Sequence, residues 1–313
     1  MDLIRAVAFL LAAAAALAAA LSLGGAFSDK LDLFAQATPI WLAVAASGLI
    51  LGLLAGSARI GLFLALAAIV VGLGLMGPDL IARAAGPRFA PKRQTIKLIQ
   101  FNVWDRNRDP AGTARWIAAE NADVVVLEET GDGQIPAALA ERYPYRTRCD
   151  GDCATVILAK SAPSASGLIV WPGLDARHGG AWASFGDGPD AFTVAGSHYL
   201  WPIPAGPQAD QARRFAAALD RFDRSNLIVA GDFNLNPWSF GLRRQDARFG
   251  IPRLTHAIFT WPAGPISHWR LHLPFAVLAL DQIYAGPTWK PVSVTRGPLL
   301  GSDHYPIVAI LTR

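Results

Sequence analysis

The chain is 313 residues long and 52% apolar, with 28 Lys and Arg against 24 Asp and Glu. That length holds one large domain or two small ones. Seven of the basic and four of the acidic residues precede residue 94; the remainder is near about +1, which excludes a domain that grips nucleic acid by charge alone.

The apolar residues crowd toward the amino-terminal end. Three uncharged stretches, about 6–27, 38–55 and 60–78, each approach the ~20 apolar residues that cross a bilayer. No polar face interrupts them, as it would in a soluble bundle. They predict three transmembrane helices, with Gly56–Gly61 as a tight turn between the second and third. A signal peptide is the alternative for the first stretch. Its charged start (Asp2 and Arg5) is thin, however, and its apolar run is long for one. Gly and Ala at close spacing suit helix packing in lipid. No polar group in the spans suggests transport, so residues 1–93 read as a membrane anchor plus linker, and 94–313 as the second domain. The basic linker (Arg88, Lys92 and Arg93) also suits anionic lipid heads.

Two signals bear on sidedness, and they conflict. Arg83, Arg88, Lys92 and Arg93 follow the last span, which favours the cytoplasm. The only two cysteines sit in Cys149-Asp-Gly-Asp-Cys153, where a turn at Gly151 could close a local disulfide, two surface thiols being the alternative. Such a bond favours an oxidising compartment. Two thiols alone are too few for a tetrahedral zinc site. The expectation is a multi-pass protein of a bacterial inner membrane, with the large domain periplasmic.

From residue 94, strand-like and helical stretches alternate. Thr95 to Val103 has the pattern of a half-buried strand, with Asn102 near its end. Ala111 to Asn121 reads as a helix, and Asp123 to Glu129 as a strand ending in two acids. Thr155 to Ala159 and Ala191 to Gly196 are further strands, the latter running into Ser197-His198. Residues 208–222 carry a helical pattern (Ala212, Phe215, Ala216, Leu219, Phe222). Leu227 to Ala230 is a short buried strand halted at Gly231. Asp232, Asn234 and Asn236 follow it, and Pro237 cannot donate to a ladder. Leu278 to Tyr284 holds Asp281 inside an apolar run, and Asp303-His304 precede the last strand. There is no solenoid-type repeat.

Six times, then, a carboxylate, amide or imidazole stands at a strand edge. A shared sheet edge gathers such groups into one cleft. Carboxylates and an amide oxygen are hard ligands that suit Mg²⁺ or Mn²⁺ rather than zinc or copper. Packed acids also need a cation to offset their repulsion, and histidines add proton transfer near neutral pH. Together these meet the needs of phosphoester hydrolysis. Each group has an ordinary structural alternative. Asp232 to Asn236 could be a local turn, Asn102 a strand-end turn residue, and Asp281 a buried acid with an Arg partner. Trp104, Trp201, Trp238 and Trp261 read mainly as packing residues. His178, His256, His268 and His272 match no motif.

The segments Phe101-Asn102-Val103, Leu127-Glu128-Glu129, Gly196-Ser197-His198, Gly231-Asp232-Phe233-Asn234, Leu280-Asp281 and Ser302-Asp303-His304 resemble the endonuclease/exonuclease/phosphatase superfamily. They stand in that family's order and cover essentially all of 94–313. The resemblance implies an α/β fold, a four-layer α/β/β/α sandwich, here preceded by three transmembrane helices. It implies a phosphodiesterase or phosphatase that uses Mg²⁺ (or Mn²⁺). By resemblance, Glu129 is the main metal ligand, with Asn102 and Asp303 close to the same ion. Asp232 orients or deprotonates the attacking water, and Asn234 holds a phosphate oxygen. His304 contacts the scissile phosphate and is held by Asp281, while His198 is a candidate acid for the leaving group. Glu128 falls where the family often has Gln, and is expected to be a supporting or merely surface residue. The implied substrate is a phosphoester: nucleic acid, nucleotide or phospholipid head group. The lipid bilayer is the other expected partner, and no protein partner is evident. A non-catalytic binding module is the rival class, although such a module is expected to have lost some of these positions.

Overall fold

The computed structural model describes the chain apart from residues 87–88, 92–93, 149–152, 172–178, 267–270 and 274, and apart from the side chains of 265–266 and 271–272. Cys149, His178 and His268 and the side chain of His272 therefore lie outside the described residues; Cys153 is disulfide-bonded.

Small residues shape the amino-terminal part. Helices α1 (Asp2–Leu23), α2 (Asp29–Gln36), α3 (Thr38–Ala55) and α4 (Arg59–Ala85) follow one another, and α1, α3 and α4 pack together. They do so through Ala8, Ala12, Ala15 and Ala19 of α1, Ala45, Gly48 and Gly52 of α3, and Ala65, Ala68 and Gly72 of α4. A Cβ on Gly48 would lie 2.9 Å from the backbone nitrogen of Ala12, so glycine is what lets these two helices approach. The larger side chains face outward; Leu10, Leu54, Phe63, Val70 and Ile81 are each more than 60% exposed. Three of the helices are long and apolar enough to cross a membrane. The third runs on through Pro78 to Ala85, past the expected end at 78.

The rest is built from β1 (Thr95–Asn102), α5 (Pro110–Glu120), β2 (Val124–Glu128), α6 (Gln134–Ala138), β3 (Tyr145–Arg146), β4 (Thr155–Ala159), β5 (Ala165–Ile169), β6 (Gly180–Phe185), β7 (Phe192–Ser197), α7 (Pro207–Ala218), β8 (Leu227–Asp232), α8 (Phe240–Phe249), β9 (Pro265–Ile266), β10 (Leu271–His272), β11 (Asp281–Ala285), β12 (Lys290–Arg296) and β13 (Ile307–Thr312). One sheet has the order β12-β13-β1-β2-β4-β3, the other β11-β8-β7-β6-β5, and β9 and β10 form a small hairpin. Strand alternation sends Leu98, Val124, Val126 and Ile157 of the first sheet against Ala181, Val194, Ile228 and Ile283 of the second. The opposite face of the first sheet (Ile99, Phe101, Val125, Leu127) packs on Ala114 and Ile117 of α5. That of the second (Ala195, Leu227, Val229, Tyr284) packs on Phe215 of α7 and Leu219 just beyond it, and on Leu242 and Phe249 of α8. The result is the expected α/β/β/α sandwich.

Not every element was anticipated. Strand β12 carries Pro291 at an irregularity in its pairing with β13, as an edge strand tolerates. Strands β5 and β6 mix Gly, Ala and Ser with few β-branched residues, which weakens their signal.

Candidate active site

Both sheets contribute to one polar cluster. Asn102 ends β1 and Glu128 ends β2, and the two are lateral partners in parallel strands. Asp232 ends β8 opposite Asp281, the first residue of β11. In a regular strand Glu128 and Glu129 would face opposite sides. A left-handed backbone at Glu129 (φ 50°) interrupts the alternation and lets both acids join the cluster. Asn234 is also left-handed (φ 50°), and such conformations in non-glycine residues collect at functional sites.

The contacts form a connected network. The Asn102 amide donates to Glu129 Oε1 at 2.9 Å and to Asp232 Oδ2 at 3.0 Å, bridging the two sheets. Its own oxygen accepts the Trp104 N–H at 3.0 Å. His304 Nδ1 lies 2.8 Å from Asp281 Oδ2 and its Nε2 lies 3.5 Å from Asp232 Oδ2. His198 Nε2 stands 3.4 Å from Glu129 Oε1, 3.7 Å from Asp232 Oδ2 and 3.3 Å from Asn234 Nδ2. Asp232 accepts the Asn234 backbone N–H at 2.9 Å. The Asn234 amide donates to the Tyr199 carbonyl at 2.8 Å. Ser302 ties the cluster to β1: its hydroxyl donates to the Asn102 carbonyl at 2.7 Å and accepts the His304 N–H at 2.9 Å.

Charge is distributed unevenly in this buried volume. Burial works against a charged His304, but Asp281 and Asp232 outweigh it and hold the imidazole well above its ordinary value. Glu128 moves the other way. Complete burial, reinforced by Asp281 and Asp232, pushes its carboxyl well above the usual range, which favours the neutral form. It accepts from Gln100 Nε2 at 3.0 Å, and the same amide nitrogen donates to Asp281 Oδ1 at 2.7 Å. Glu128 is thus no surface residue; it joins β2 to the acid that holds His304. Gln100 was missed in the sequence, although its place two residues before Asn102 puts both on one face of β1. Gln208 and Gln211 were missed as well. From α7 they bind the Asn234 and His198 carbonyls at 3.1 and 2.9 Å. Asp105 and Asn107 take no place in the cluster; Asn107 binds the Val103 carbonyl at 2.7 Å. Of the remaining histidines, His256 has a partner outside the cluster, Asp79 of α4, at 3.0 Å.

A sequence profile of the Endonuclease/Exonuclease/phosphatase family matches residues 99–304, which include every residue of the cluster. The chain belongs to that family. Its members hydrolyse phosphoesters, and the two mixed sheets with flanking helices are the family's sandwich. Solved structures share this fold. Sphingomyelinase C from Streptomyces griseocarneus is 19% identical, with a TM-score of 0.54, over 70% of this chain and 100% of that one. TDP2 from D. rerio, complexed with a single-strand DNA product, gives 19%, 0.55, 70% and 100%. A beta toxin variant from Staphylococcus aureus with bound magnesium ions gives 15%, 0.54, 70% and 100%. No curated protein matches the sequence.

Family membership implies a divalent cation, and the donor set can be tested for fit. Ligand atoms of Glu129, His198 and Asp232 lie within 4.8 Å of one another, as do those of Asp232, Asp281 and His304. Asp303 supplies a more direct sign. Its Oδ2 accepts the Trp261 indole N–H at 3.3 Å, while its Oδ1 is buried with no hydrogen-bond partner. Burial, with further contributions from Glu129 and Asp232, raises its carboxyl. A hard cation beside it would satisfy that oxygen and offset the repulsion, although neither group of converging ligand atoms includes Asp303. Asn102 fits less directly, because it turns its N–H₂ rather than its oxygen toward Glu129. It can serve as a ligand only after its amide turns over, which frees the Trp104 N–H. With that one adjustment, the residues fit a hard divalent ion.

Proposed function

We propose that this protein is a membrane-anchored, Mg²⁺-dependent (or Mn²⁺-dependent) phosphodiesterase, nuclease-like in its chemistry, which splits a phosphoester by attack of water on phosphorus. The line Asp281–His304–Asp232, at 2.8 and 3.5 Å, carries the reading. It holds a cationic imidazole beside a buried carboxylate, the pairing needed to seat an anionic phosphate next to a base for water. The metal, held by Glu129 and Asp303 with Asn102 turned over, would neutralise developing negative charge. Asp232 orients the water and takes its proton, for which its 1% exposure excludes competing solvent. His304 binds the phosphate and Asn234 a phosphate oxygen. His198, at the more open side of the cluster, delivers a proton to the leaving oxygen.

One observation favours a second, finer reading, hydrolysis of a phospholipid head group. Asn236, two residues beyond Asn234, is hydrogen-bonded to Gln36 at the end of α2, so the catalytic loop lies beside the apolar helices. The near-neutral charge of 94–313 gives no support to tight duplex binding.

The test uses the full chain in detergent or nanodiscs with bis-p-nitrophenyl phosphate, plasmid DNA and sphingomyelin in parallel. Each is offered with Mg²⁺, Mn²⁺ or EDTA. We expect metal-dependent release that Asp232→Ala lowers by at least about 10²-fold, with the preferred substrate choosing between the readings. Equal release by Asp232→Ala, or release that EDTA leaves untouched, would refute the mechanism.

A further inference from the structure

The apolar helices reach the catalytic loop through α2, the short amphipathic helix between the first two of them. Its Asp32 carboxylate accepts the backbone N–H groups of Phe240 at 2.8 Å and Gly241 at 2.6 Å. Asp32 thereby caps α8 from a distant part of the chain, beside that helix's own cap, Ser239. One helical turn later, Gln36 Oε1 accepts from the Asn236 backbone N–H at 2.8 Å and from its Nδ2 at 3.0 Å. The Gln36 carbonyl accepts from Asn236 Nδ2 at 3.3 Å and from Trp238 Nε1 at 3.2 Å.

Asn236 is 1% exposed, and its own oxygen accepts the Ala279 N–H at 2.7 Å. It follows Asp232 by four residues and Asn234 by two, while Ala279 precedes Asp281 by two. A single amide therefore staples the limb carrying Asp232 and Asn234 to the limb carrying Asp281. Among the described residues, both acceptors for its Nδ2 are atoms of Gln36.

We propose that Gln36 is a positioning residue, acting through Asn236, so that the apolar helices set the geometry of the catalytic loop as well as anchoring it. Removing the Gln36 side-chain acceptor leaves the buried Asn236 backbone N–H unpaired and its Nδ2 with only the Gln36 carbonyl at 3.3 Å, and the loop relaxes to reach new partners. Hydrolysis depends on placement at the ångström scale, where a misplacement of about 1 Å can cost roughly 10²-fold. The proposal rests on the hydrolase reading above.

Two variants of the full chain in nanodiscs separate positioning from folding. Gln36→Met keeps the length and loses the acceptor, whereas Gln36→Glu keeps the acceptor. Gln36→Met is expected to lower kcat by about 10- to 100-fold with KM little changed, and Gln36→Glu to restore most of it. Hydrogen exchange over residues 231–241, in metal-free protein, should quicken in Gln36→Met and not in Gln36→Glu. Unchanged kcat and exchange in Gln36→Met would overturn the proposal. So would Gln36→Glu proving as impaired as Gln36→Met, or losses that merely track the folded fraction. If the parent protein hydrolyses nothing, the hydrolase reading fails, and the exchange comparison still decides the coupling.

Discussion

His304 keeps its proton because carboxylates surround it, and this gives the chemistry a pH dependence with a definite sign. Asp281 contacts its Nδ1 at 2.8 Å, and with Asp232 it holds the imidazole well above the ordinary histidine value. If His304 is the phosphate-binding cation proposed above, activity that needs it is lost as pH rises through the raised pKa. Asp281→Asn removes one of the charges responsible, so the pKa falls and the cation disappears at lower pH. The alkaline limb of the rate profile should move toward acid, with kcat near neutrality down by at least about 10²-fold. A profile with an unmoved alkaline limb would show that His304 is not the cation in question. At this scale the sequence was informative about residues at strand ends and poor about those behind them. Glu128 read as optional because nothing local tells a buried acid from a surface one. Its place depends on Gln100 of the neighbouring strand, and on the second sheet closing over it to bring Asp281 to the same Gln100 amide.

Glycine placement makes the meeting of β7 and β8 possible. A Cβ on Gly231 would stand 2.1 Å from the Ser197 carbonyl oxygen, and backbone cannot yield as a flexible side chain would. Gly231→Ala must push the two strands apart just where one delivers Asp232 and the other leads into His198. Overpacking of this kind costs about 1–3 kcal/mol, occasionally more. A chemical denaturation midpoint should therefore fall, together with activity; a midpoint equal to the parent's would mean that the strands are looser than this contact implies. Gly231 was legible in the sequence only as the stop of an apolar run, since its need for close approach comes from a neighbouring strand. Strands rich in Val, Ile and Leu, such as β2 and β8, were plain because both their faces are buried. Helix α2 was not, as eight residues of mixed polarity between two long apolar runs look like a loop. What makes it a helix that matters is the docking of Asp32 and Gln36 some 200 residues away in sequence, at separations of 208 for Phe240 and 200 for Asn236.

At the scale of the molecule, the sequence reads as an anchor and an enzyme joined by a linker, yet the two halves share a core. Trp238 and Ala279 from beside the catalytic loop pack with Ala15, Ala19, Trp41, Ala45, Leu75 and Met76 of the apolar helices. Arg253, whose side chain is only 8% exposed, lies 2.8 Å from Asp79 of α4 and 3.2 Å from Asp246. Arg243 donates to the Leu75 carbonyl at 3.1 Å, and Arg244 to Asp29 at 2.7 Å. A fragment of residues 94–313 would keep Asp246 but lose Asp79, the Leu75 carbonyl and Asp29, and would open Trp238, now 0% exposed, to water. Exposing one large apolar side chain costs about 1.5–3 kcal/mol, and the lost hydrogen bonds add about 1 kcal/mol each. At about 2–4 °C per kcal/mol for a domain of this size, the fragment should melt roughly 10 °C or more below the full chain in nanodiscs. It should also bind a hydrophobic dye on the bared Trp238 face, which Trp238→Ser in the same fragment would reduce. A fragment that melts with the full chain and binds no dye would mean that the shared core contributes little, and that the two halves are as separable as the linker between them suggests.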